Sequence, residues 1–253
     1  MLCIKNASAI SVMAEGGRIL ARTMDELSQN ICASKSTLEL DRLAHKYIIS
    51  SGAKPSFLGM YGFPNTLCIS VNDEVIHGIP SKKRILKNGD IVSIDAGVYF
   101  KGFHTDMART FIVGEVSEDV RKLVERTRRS FFEGISAATI GNRISDISHA
   151  IEEYINQFGY GIVRSYTGHG VGRELHEDPS IPNFGASGHG QRIVNGMTLA
   201  IEPMINLGCD EVKTLADGWT VVTKDGAYSA HYENTVAIVD GKAVVLTDTE
   251  CTL

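Results

Sequence analysis

Residues 90–114 read DIVSIDAGVYFKGFHTDMARTFIVG, two β-prone runs separated by a short break. Side chains alternate along a strand, so Val92, Ile94, Ala96 and Val98 share one face, and Asp95 lies on the other with Ile91, Ser93 and Tyr99. In the second run Asp106 lies with His104, Ala108, Thr110 and Ile112. A hairpin turning around Phe100-Lys101 would place opposite each other the residues whose numbers sum to 201, including Asp95 and Asp106. Their Cβ atoms would then be about 5 Å apart, where like charges repel. A shared metal ion offsets that repulsion directly, because carboxylates are hard oxygen ligands.

On both sides of this hairpin the chain alternates helical and strand-like text. Apolar residues at helical spacing predict a helix over 8–29. A second begins at Ser36 with Glu39 completing a capping box, and runs to Gly52. The run TLCISVN reads as a strand before the hairpin. The helical period returns after Ser117 through Phe131, and again from Ile144 to Phe158, stopping at Gly159. Strands follow in MTLAIEPMI and in the stretch 219–247, where Asp225-Gly226 and Asp240-Gly241 are hairpin signals. Two helices followed by strands, twice, predict an internal pseudo-repeat with halves at about 8–113 and 117–247. The expected fold is α+β, mainly antiparallel with helices on one face, in a single domain spanning 1–253.

Composition narrows the function classes. The 253 residues carry a net charge of −5 and 43% hydrophobic residues, which argues against bulk nucleic-acid binding. No apolar run reaches the roughly 18 residues of a membrane span, and the N-terminus lacks a secretory signal pattern. Five scattered cysteines contain no C-x-x-C pair, so a cytoplasmic location is expected.

Two further acids stand where strands should be apolar: Glu202 in TLAIEPMI and Glu233 in SAHYENTVAIV. The stretch 166–179, YTGHGVGRELHEDP, adds His169 and His176. It is not an H-E-x-x-H zinc helix, because Ser180 occupies the second histidine position and Pro179 would break the helix. Nor is it a dinucleotide fingerprint, since Arg173 replaces the third glycine. The run at 185–189 misses the nucleophile-elbow pattern at His189. Four carboxylates and one imidazole suit two divalent ions about 3.5–4 Å apart, Mn²⁺, Fe²⁺, Co²⁺ or Zn²⁺, and hydrolytic chemistry.

With these residues assembled, the chain resembles the type I methionine aminopeptidases of the pita-bread metallopeptidase fold. The resemblance rests on NDEVIHGIP (72–80), Asp95, GFHTDMARTFIVG (102–114), GHGVGRELHEDP (168–179), LAIEPMI (199–205), DGWTVVTKDG (217–226) and SAHYENTVAI (229–238). It implies Asp95, Asp106, His169, Glu202 and Glu233 as ligands of two metal ions, with Asp106 and Glu233 bridging. Glu202 would also handle the proton of the attacking water. His77 and His176 would contact the scissile amide without touching metal. Phe57, Met60, Phe63, Cys68 and Trp219 would form the substrate pocket. The implied reaction releases the N-terminal methionine of newly made chains whose second residue is small. Leu175 stands where relatives often carry an aromatic residue, and His231 where they often carry glutamine. Both bear on pocket shape.

Two other readings compete. A prolidase or aminopeptidase P shares the fold but usually carries a long domain before the metal half, whereas here the first expected ligand is already at position 95. A non-catalytic binding protein of the fold typically loses metal ligands, and none is missing here. A zinc-binding extension or a large second-half insertion is not visible, so a minimal bacterial-type enzyme fits best. The partners expected are nascent peptides, and the chain is expected to be a monomer. The basic runs 81–87 and 121–129 read as solvated faces, with a ribosome-docking role as the functional alternative. His45, His149 and His189 read as structural, and His104 as a structural or supporting residue near the metals. Leu2 is too large for the implied specificity, so Met1 is expected to be retained.

Overall fold

In the computed structural model, which describes residues 3–253, the 90–114 stretch forms strands Ile91–Phe100 and Phe103–Ile112. Met1 and Leu2, on which the expectation of a retained Met1 falls, lie outside the described residues. The hairpin register differs from the expected one. The turn is Lys101-Gly102, both at positive φ (46° and 94°), and Phe100 pairs with Phe103. A two-residue turn of this kind needs left-handed backbone at both central positions, which Gly102 tolerates and Phe100 would resist. Asp95 therefore pairs with Ala108 and Asp106 with Gly97, so the two acids are diagonal neighbours. The slip is two residues, and an even slip keeps every side chain on its face.

Four helices were expected and four form. α1 spans Ala7–Ser28, with the Asn6 side chain accepting from the Ala9 N–H at 2.9 Å. α2 spans Thr37–Ser50 behind the Ser36/Glu39 capping box. α3 covers Glu118–Ser136 and α4 covers Ile144–Asn156. Leu20, Met24 and Leu40 of α1 and α2 pack against Ile94, Ala96 and Val98. Phe131, Ile147 and Ile151 of α3 and α4 pack against Leu199, Ile201, Val236 and Ile238. The helices thus cover the apolar stripe of the hairpin strand, and Asp95 lies on the reverse side.

The strands form one nine-stranded sheet and two three-stranded sheets, and every described pairing is antiparallel. The two halves join where Glu233–Val239 pairs with Phe103–Ile112. Two local expectations fail. MTLAIEPMI is not one strand: Thr198–Ile201 and Met204–Asn206 belong to different sheets, with Glu202-Pro203 between them. Pro203 has no N–H to give a ladder, so pairing stops there. Asp225-Gly226 is not a hairpin turn, because the strands flanking it, Val221–Thr223 and Ser229–His231, pair with different partners. The Asp225 carboxylate instead accepts from the backbone N–H groups of Cys209 and Ala227. Asp240-Gly241 does turn a hairpin, both residues at positive φ. None of the five cysteines is in a disulfide, and no described helix is long and apolar enough to cross a membrane.

Candidate active site

Strand pairing alone gathers the acids. Ala108 is flanked by Asp95 on one side and Glu233 on the other, so all three side chains point the same way. Asp106, two residues before Ala108, shares that face. His169 pairs with Ala200, which pairs with Thr235, two residues from Glu233. Glu202 reaches the same place from the break after Thr198–Ile201, its carbonyl held by the Asn183 amide at 3.0 Å. Asp106, His169 and Glu233 offer donor atoms within 4.8 Å of one another. Glu202, His231 and Glu233 do the same.

No cation of the protein is paired with these acids among the described residues. Asp106 and Glu233 are 4% and 2% exposed. Among the described residues no lysine or arginine nitrogen lies within 4.0 Å of any of the four carboxylates. Arg109 is close, but its guanidinium donates to the Ala108 and Glu233 carbonyls and to Asn234, and it stacks on Tyr232. Burial and mutual repulsion hold Asp95, Glu202 and Glu233 well above the usual carboxylate range, and burial raises Asp106 to about 7. Asp95 Oδ1 and Glu233 Oε1 are buried with no hydrogen-bond partner. The His169 ring is oriented by Nδ1, 2.8 Å from the Gly170 carbonyl, so its Nε2 faces Glu202 and Asp106 with a lone pair. Acceptors converging on acceptors, with no internal cation, fit a site for divalent metal ions.

Next to the acids lies a cavity of about 430 Å³. Every residue expected to form the pocket borders it: Phe57, Met60, Phe63, Cys68 and Trp219, together with His77 and His176. The Trp219 ring meets Phe63 edge-on, with centroids 5.1 Å apart. Gly97 sits on the acid face because a Cβ there would lie 2.7 Å from Ser56 Cβ and 2.8 Å from Phe57 Cε1. A glycine opposite Asp106 thus lets the pocket wall close onto the sheet. His77 sits at φ 59°, a left-handed conformation that costs a non-glycine residue energy and clusters at functional sites. Burial keeps it neutral, with a pKa of about 4. The His176 ring lies 4.5 Å from that of His169, near perpendicular. The Cys68 thiol is pushed well above its ordinary value by burial and by Asp95, which leaves it apolar wall rather than nucleophile.

Some of the lining escaped the sequence. Tyr61, Ile76, Tyr166 and Thr167 also border the cavity. Tyr166 and Thr167 stand beside His169 in the stretch that drew attention to it. His231 needs a correction. It was expected to affect pocket shape, yet it is 1% exposed and stands against Glu202 and Glu233. The signal was available, since His231 is two residues from Glu233 and shares its face. His104 Nδ1 lies 2.9 Å from Ser56 Oγ, and its ring packs against Tyr99. His45 hydrogen-bonds Thr66.

Acids gathered around an imidazole beside a half-open pocket suit a metal-dependent hydrolase. The chain belongs to metallopeptidase family M24, whose model matches residues 11–240. Relatives include methionine aminopeptidases of Clostridium acetobutylicum, 51% identical over 98% of this chain and 99% of that protein, and of Clostridium perfringens, 53% identical over the same shares. Among solved structures, a methionine aminopeptidase from Thermotoga maritima superposes with a TM-score of 0.97 at 42% identity, covering 98% of this chain and 100% of that one. A prolidase from Pyrococcus furiosus reaches 0.79 at 25% identity, and this chain covers only 66% of it. The pita-bread expectation and the resemblance to bacterial-type methionine aminopeptidases are borne out.

Proposed function

We propose that this metallopeptidase removes the N-terminal methionine from peptides and nascent proteins whose second residue is small. The observation that carries the reading is the set of four carboxylates, two buried and two half-buried, that line an aromatic-walled pocket with no cation of the protein paired to them. The similarity in name, identity and full-length coverage to methionine aminopeptidases supports it.

In this reading Asp95, Asp106, His169, Glu202 and Glu233 would hold two divalent ions, with Asp106 and Glu233 as the ligands shared by both. Such ions, when bound, would supply a water acidified toward neutral pH and a Lewis acid for the scissile carbonyl. Phe57, Phe63 and Trp219 surround the methionine side chain, whose unbranched thioether packs well against aromatic rings. Met60 and Cys68 complete an apolar wall. Glu202, ionised once the site is loaded, would take the proton of the attacking water and carry it toward the leaving amine. His77 and His176, both lining the cavity, would donate to the amide as charge develops on its oxygen. Residues 1–253 act as one catalytic unit, with acids drawn from both halves. Action on nascent chains implies a cytoplasmic protein working at the ribosome as a monomer. The mostly exposed cations of 81–87 and 121–129 are the surfaces available for that docking.

The test is a peptide-release assay with Mn²⁺ or Co²⁺. Methionine should be freed from Met-Ala-Ser and not from a Met-Leu peptide. No release with any divalent ion would refute the reading, and release only from Xaa-Pro peptides would transfer it to the prolidase class.

A further inference from the structure

Glu202 lies between two imidazoles. Its Oε1 is 3.5 Å from His169 Nε2, and its Oε2 is 3.5 Å from His231 Nε2. Each imidazole also faces a second acid: His169 Nε2 is 3.9 Å from Asp106 Oδ2, and His231 Nε2 is 4.0 Å from Glu233 Oε2. The two histidines stand to their carboxylates in nearly the same geometry. Only His169 has a chemical role in the reading above.

These separations exceed those of ordinary hydrogen bonds, which centre near 2.9 Å. The two separations of 3.5 Å match two donors on one ion. Bonds of about 2.0–2.2 Å at a tetrahedral angle place their donor atoms about 3.4 Å apart. His231 Nε2 is also buried and has no hydrogen-bond partner. The residue is pinned by its backbone, its N–H and carbonyl both 2.9 Å from Thr110 Oγ1. Tyr232 turns the opposite way, onto Phe131 at 5.4 Å between centroids, which fixes the alternation that aims His231 and Glu233 together.

We propose that His231 Nε2 is a sixth protein ligand, binding an ion held by Glu202 and Glu233. The proposal rests on the acid cluster being a metal centre. A second imidazole would bias the centre away from Mn²⁺ and toward Fe²⁺, Co²⁺ or Zn²⁺, whose affinity for nitrogen donors is higher.

The alternative is a histidine that merely donates an N–H to the carboxylates, which a glutamine could replace. Two measurements separate them. NMR of the Co²⁺-loaded protein should show two hyperfine-shifted, solvent-exchangeable ring N–H signals, one per bound imidazole. His231→Gln should leave one, that of His169, whose Nδ1–H is held by the Gly170 carbonyl. Calorimetric titration should show H231Q binding the second Co²⁺ or Zn²⁺ at least about tenfold more weakly, with the first unchanged. One signal in the parent protein, or two ions bound by H231Q with parental affinity, would overturn the proposal while leaving the metal centre standing. A parent protein that binds no Co²⁺ would overturn both. The parent spectrum needs no variant, so poor folding of H231Q leaves the test intact.

Discussion

Asp106 is the acid most enclosed by neighbours of its own kind, and its backbone shows how firmly it is placed. Its N–H donates to Thr235 Oγ1 at 2.8 Å, and that hydroxyl donates back to the Asp106 carbonyl at 3.0 Å. Asp106→Asn keeps the shape and removes the charge, so the fold should survive while metal binding suffers. The expected outcome is loss of measurable turnover and a lower metal content after dialysis, read by elemental analysis. Full metal retention would contradict the ligand assignment. His176 should behave in the opposite way. It lines the cavity but belongs to neither donor cluster. His176→Ala should keep its metal and lose about 100-fold or more in kcat, the scale of one lost oxyanion donor. An unchanged kcat would refute the role.

The loop that carries His176 is tied down by an element far away in the chain. Lys5, just before α1, donates to the Glu177 carboxylate in a pair whose side chains are 3% and 9% exposed. The Lys5 N–H also bonds the Gly196 carbonyl at 2.8 Å. Removing one partner of such a pair strands the other charge, at about 3–5 kcal/mol. Lys5→Met should therefore lower the thermal midpoint by several degrees and reduce kcat through the displaced His176. Adding Glu177→Leu should recover most of the stability but not the rate. A single variant as stable as the parent would show the pair to be idle. This tie was not legible in the sequence, because its partners are 172 residues apart. Elements with local signals were legible: the amphipathic helices, the Ser36 cap and the face assignment of Asp95 and Asp106. The hairpin register was not, because it depended on which two residues accept positive φ. The glycines of 168–172 are required by close contact. A Cβ at Gly170 would lie 2.2 Å from the Asp178 carbonyl oxygen, so the strand carrying His169 can lie beside the 177–181 strand only without one.

At the scale of the whole molecule, the site is an electrostatic debt that the fold cannot settle internally. Four acids from the two halves meet in one place; burial raises the carboxyl pKa of each, Asp106 to about 7, and repulsion from neighbouring acids adds to the rise of Asp95, Glu202 and Glu233. The sign follows from linkage. A carboxyl whose folded pKa lies above its unfolded value, near about 4, favours folding when protonated, and that contribution is lost as pH rises through the folded pKa. The metal-free protein should therefore lose this contribution between about pH 4 and pH 7 and beyond. Divalent ions must displace the same protons to bind, so their stabilisation should grow over that range. Buried histidines act in the other direction. His77, His104 and His169 are held at about 4 and His231 at about 3, so acidification below their unfolded value, near about 6.5, favours the unfolded chain. These rings stay neutral above pH 5.5 with or without metal, so their effect cancels in a difference. The readout is thus the midpoint with saturating Mn²⁺ minus the midpoint with chelator, measured by thermal melting from pH 5.5 to 8. It should increase steadily across that window, and a flat difference would mean that the acids are already ionised in the metal-free fold.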